Sequence, residues 1–141
     1  MAALTAIREA IAANLTANLA SGCQVSAYLV SSPVPPVLDV YPSLDQPIVY
    51  DRAMGRGQDD WRVTVRGRVA LNMDEGAQRL LDKWLASSGT DSVKAAVEAD
   101  PTLGGACSDL RVEECRAYQV FEDAGTAFLG AEWQVLVLAR G

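Results

Sequence analysis

The sequence predicts an α+β fold: a mostly antiparallel sheet with an N-terminal helix and a central helix pair packed on it, in a single domain spanning residues 1–141. Three observations predict it. Apolar residues recur at three- and four-residue spacing near the N-terminus and again after residue 75, the signature of amphipathic helices. Apolar and polar residues alternate strictly over 61–71, and on one face over 128–139, the signature of strands. The order is helix, strands, helix pair, strands, which segregates the helices onto one face of a sheet.

The first helix is read over residues 4–20. Leu4, Ile7, Ile11, Leu15 and Leu19 form its apolar stripe, and Ser21-Gly22 ends it, with Gly22 free to take a left-handed cap. Residues 24–30 predict a short strand. Ser31-Ser32-Pro33 and Pro35-Pro36 predict an extended or turn segment. Residues 37–41 form a second strand, in which Val37, Asp39 and Tyr41 alternate with Leu38 and Val40. Pro42 and Pro47 bracket a turn leading to Ile48-Val49-Tyr50, as suits strand ends or a sheet edge.

Residues 51–60, DRAMGRGQDD, show no periodicity and predict a flexible surface loop, with Gly55 and Gly57 supplying the mobility. The clearest strand follows over 61–71. Trp61, Val63, Val65, Gly67 and Val69 face one way; Arg62, Thr64, Arg66 and Arg68 face the other. Like charges on one strand face repel unless something negative lies opposite. These arginines therefore call for an acidic neighbouring strand or another subunit.

Asn72 is a candidate cap for the second helix, with Glu75 completing an arrangement like a capping box. Its stripe is Ala77, Leu80, Leu81, Trp84 and Leu85, and Ser87-Ser88-Gly89 stops it. Ser92 caps a short helix over 93–99, ended by Pro101, and Leu103-Gly104-Gly105 is a turn. Residues 110–120 read as a long, irregular strand carrying Arg111, Glu113, Glu114 and Arg116. Glu122-Asp123-Ala124-Gly125 is a hairpin turn candidate. The last strand, 128–139, turns Trp133, Val135 and Val137 to one face. Its other face is polar at Glu132 and Gln134, then apolar at Leu136 and Leu138, so its end is expected to be central or covered.

Composition narrows the function. The net charge is −6, from 18 acidic and 12 basic side chains, which argues against general binding to a nucleic-acid backbone. Residues 51–68 nevertheless hold five arginines (52, 56, 62, 66, 68) against Asp51, Asp59 and Asp60, a basic strip on an acidic body. Such a strip can orient a neighbouring copy. The chain has no histidine, which removes histidine-containing triads, histidine metal ligands and histidine bases together. Three cysteines, 23, 107 and 115, lack metal-site spacing and are expected as reduced, small hydrophobic residues.

Gly55-Arg56-Gly57 is only a fragment of a phosphate-binding loop. Asp59-Asp60 could loosely touch a divalent cation from a loop, but solubility is the plainer role. Glu113-Glu114 on a strand would point to opposite faces. No enzyme activity and no cofactor are expected. No apolar run is long enough to span a membrane, and residues 1–19 lack the pattern of a signal peptide, so the cytosol of the producing cell is the expected compartment.

One resemblance covers roughly residues 4 to 139. Its blocks are Tyr50-Asp51-Arg52-Ala53-Met54-Gly55-Arg56-Gly57, Trp61-Arg62-Val63-Thr64-Val65-Arg66 and Gly76-Ala77-Gln78-Arg79-Leu80-Leu81-Asp82, then Ser92-Val93-Lys94-Ala95-Ala96-Val97-Glu98, Leu103-Gly104-Gly105 and Phe128-Leu129-Gly130-Ala131-Glu132-Trp133. In this order the chain resembles the tail terminator proteins, also called tail completion or neck proteins, of long-tailed phages of actinobacteria.

The resemblance implies a virion protein that forms a hexameric ring on the last ring of the major tail tube protein. It implies that the ring stops tube growth and meets a head connector or stopper protein on its other face. Assembly would take place in the host cytoplasm. DNA would pass through the centre without specific binding, and no membrane would be involved. Arg52, Arg56, Asp59 and Asp60 in the loop are then candidates for an axial or inter-ring contact, and Arg62, Arg66 and Arg68 for a subunit or tube contact. These placements come from charge and expected exposure. The other readings are a different neck component, such as a head-closure or adaptor protein, and a small ligand-binding domain without catalysis.

Overall fold

A computed structural model of the chain describes residues 3–20, 23–29, 35–51, 58–71, 75–123 and 125–140. The elements are α1 (Ala3–Asn18), β1 (Gln24–Ser26), β2 (Val37–Pro42), β3 (Ile48–Val49) and β4 (Gln58–Ala70), then α2 (Glu75–Leu85), α3 (Val93–Val97), a 3-10 turn at Leu103–Gly105, β5 (Asp109–Asp123) and β6 (Thr126–Arg140). The strands form one sheet in the order β1-β2-β4-β6-β5, with β3 also pairing β4. Every pairing is antiparallel except β1 with β2. The fold is thus α+β, with a mostly antiparallel sheet, as the periodicities predict.

The apolar stripes meet in one core. Ile7, Ile11 and Leu15 of α1, Leu81 and Trp84 of α2, and Val93 and Val97 of α3 pack on Leu38, Val40, Val63, Val65, Trp133, Val135 and Val137 of the sheet. All of these side chains are at most 2% exposed, so each contributes roughly 1.5–3 kcal/mol of burial. At the centre, the ring of Trp84 meets that of Trp133 edge-on, 6.4 Å between centroids. Gly67 lies directly beneath Trp84: a Cβ there would stand 2.9 Å from the indole and 3.0 Å from Leu38. The indole can pack flat on β4 only because position 67 carries no side chain.

Local polar contacts fix the helices. Ser92 caps α3 as predicted, its hydroxyl accepting from the Ala95 N–H at 3.1 Å. Asn14 donates to the carbonyls of Val97 and Asp100, which ties α1 to the end of α3. Arg8 donates to the carbonyls of Ala27 (2.8 Å) and Val40 (3.2 Å) and lies over the Tyr28 ring, which pins α1 to β1 and β2. The expected caps at Gly22 and Asn72 lie outside the described residues, as does Ser31-Ser32-Pro33.

Three expectations need correction. The first strand is shorter than 24–30: pairing ends at Ser26, and Tyr28 and Leu29 are exposed. The loop predicted over 51–60 ends early, because β4 begins at Gln58. Gln58, Asp59 and Asp60 pair with Arg140, Ala139 and Leu138 of β6, and Asp60 also with Val49 of β3. Long-range pairing overrides the local polarity that reads as loop. Lastly, Cys115 is exposed on β5 and not buried; Cys107 is buried, and all three cysteines are free.

Candidate interaction surface

The face of the sheet turned away from the helices carries Asp60, Arg62, Arg66 and Arg68. Residues paired across antiparallel strands share a face, so the register places Asp39 beside Arg66, Thr64 beside Gln134, and Arg62 and Arg111 on either side of Leu136.

Two of the three strand arginines are ion-paired within the chain. Asp39 accepts from Arg66 through Nε at 3.2 Å and Nη2 at 2.7 Å, and from Arg68 Nη2 at 3.4 Å. The side chains of Asp39 and Arg68 are fully buried, and that of Arg66 is 19% exposed. Arg66 and Arg68 also lie over the rings of Tyr41 and Phe128. Tyr41 donates to Glu132, and its phenol is pushed well above the usual range, first by burial and then by that hydrogen bond. Ser43, Thr64 and Gln134 complete a hydrogen-bonded row. The acidic neighbour that the arginines call for is thus Asp39, on the adjacent strand, and Arg68 is withdrawn from any partner surface.

Asp59 and Asp60 are each only 7% exposed and so are not a free acidic pair on a loop. Asp59 accepts from the Asp51 N–H at 2.9 Å, which leaves the pair built into the start of β4. Among the described residues, no group of three or more His, Cys, Asp or Glu side chains is arranged to hold a metal. Arg52 and Arg56 lie outside the described residues.

Arg62 is different. It is half-buried and does not share Asp39; its Nε, like Arg68 Nε and Trp84 Nε1, is fully buried with no hydrogen-bond partner among the described residues. It borders a polar depression with Glu113, Glu114, Arg116 and Gln134. A second, more apolar depression is lined by Leu136, Leu138, Leu110, Asp109 and Arg111. Leu136 pairs with both Arg62 and Arg111, and Leu138 with both Asp60 and Asp109, so the leucine floor is flanked by an arginine and an aspartate on each side.

The sheet edges are blunted. β1 is three residues long and lies under Arg8 of α1. β5 carries register shifts between Val112 and Glu114 and between Arg116 and Gln119, with Ala117 at φ 60° and charges at Arg111, Glu113, Glu114 and Arg116. Short, bulged and charged edges resist pairing with another strand.

Beyond these bulges the β5–β6 hairpin forms an arm. Tyr118 and Val120 are each 49% exposed, and Glu122 is exposed. Sequence reasoning did not find this arm, since alternation says nothing about whether a strand end has a neighbour. No helix among the described residues is long and apolar enough to cross a membrane. No protein-family model matches the chain, and no curated protein matches it.

Proposed function

We propose that the chain is a structural protein that caps the phage tail tube as a ring, ends tube growth and forms the joint to the head connector. One observation carries the assembly half of this reading. Arg62 holds a buried Nε with no hydrogen-bond partner among the described residues, beside a leucine floor, on a sheet whose edges are blunted. A buried donor without a partner costs about 1–3 kcal/mol. An acidic or carbonyl-bearing partner laid over this face would offset that cost while covering the leucines. Contact through faces and not through strand edges suits a defined assembly.

The tail-end half is supported by the ordered resemblance of residues 4 to 139 to tail terminators. The partners are then further copies of the chain, most simply in a hexamer, together with the major tail tube protein and the head connector or stopper. DNA passes through without being gripped, in keeping with a net charge of −6. The protein would act in the virion neck after assembly in the host cytoplasm.

Light scattering of the purified protein, alone and with tail tubes, tests the reading. It predicts a discrete oligomer in at least one of the two conditions. A strict monomer at high concentration that ignores tubes would contradict it.

A further inference from the structure

We draw no further inference here: the strongest candidate, the leucine floor of Leu136 and Leu138 on the outer face of the sheet, is flanked by Asp60 and Asp109 as well as by Arg62 and Arg111, so its charges select no partner and nothing in the structure shows what covers it.

Discussion

Replacing Asp39 by alanine removes the carboxylate that Arg66 and Arg68 share. The hydrogen bonds at 3.2, 2.7 and 3.4 Å go with it. Arg66 is 19% exposed and can turn toward water, but Arg68 is fully buried and stays charged. Breaking a buried pair from one side costs about 3–5 kcal/mol. For a domain of this length each kcal/mol moves the melting temperature by about 4 °C, so Asp39→Ala should melt about 12–20 °C lower. Thermal and urea unfolding followed by circular dichroism measure it. The loss should be nearly the same in low and high salt, because buried charges are poorly screened. The paired change Asp39→Leu with Arg68→Met should recover most of the loss, since a buried ion pair is often no better than an apolar replacement. A loss below about 1 kcal/mol for Asp39→Ala, the level of an exposed pair, would refute the claim that this network is structural.

Further outcomes follow from single sites. Gly67→Ala puts a Cβ 2.9 Å from the Trp84 ring and should cost about 1–3 kcal/mol in urea unfolding, with a change in tryptophan fluorescence. Ser92→Ala removes the acceptor for the Ala95 N–H and should cost about 1 kcal/mol by the same assay. The Glu98 carboxyl is raised by burial but lowered by more through hydrogen bonds from Lys94 and the Val112 N–H. Its folded pKa therefore lies below its unfolded one. The stability it contributes is present above the unfolded value, about 4.3, and is lost as pH falls through the folded one, so Glu98→Gln should flatten the acid limb of a stability–pH curve. The thiol of Cys107, which is buried, is pushed up to about 11, chiefly by burial and secondarily by nearby carboxylates. It should therefore react with a disulfide reagent at pH 8 more slowly than a free thiol does.

The fold was legible because its helices and long strands carry strong periodicity. Ile7, Ile11 and Leu15 sit one turn apart, and Trp133, Val135 and Val137 alternate, so each segment states which side it buries. The strip of leucines at 136 and 138 was legible too, since β6 turns apolar on its second face and proves to be central, between β4 and β5. What stayed hidden depends on register. Nothing local says that Asp39 lies across from Arg66, or that Gln58-Asp59-Asp60 will pair with β6 rather than stay in a loop. The same holds for Arg62. Its charge is plain in the sequence, but only pairing shows that Arg66 and Arg68 have taken the nearby carboxylate while Arg62 lies across from Leu136. The arm escaped notice because exposure at Tyr118 and Val120 comes from the place of β5 at the edge of the sheet among the described residues.

The most direct test of the cap is tube growth itself. Tail tube protein is polymerised with and without this chain, and tube ends and lengths are recorded by electron microscopy. The account predicts a ring-shaped density on one end of each tube and arrest of growth at that end. Tubes that carry no added density and lengthen as before would contradict it.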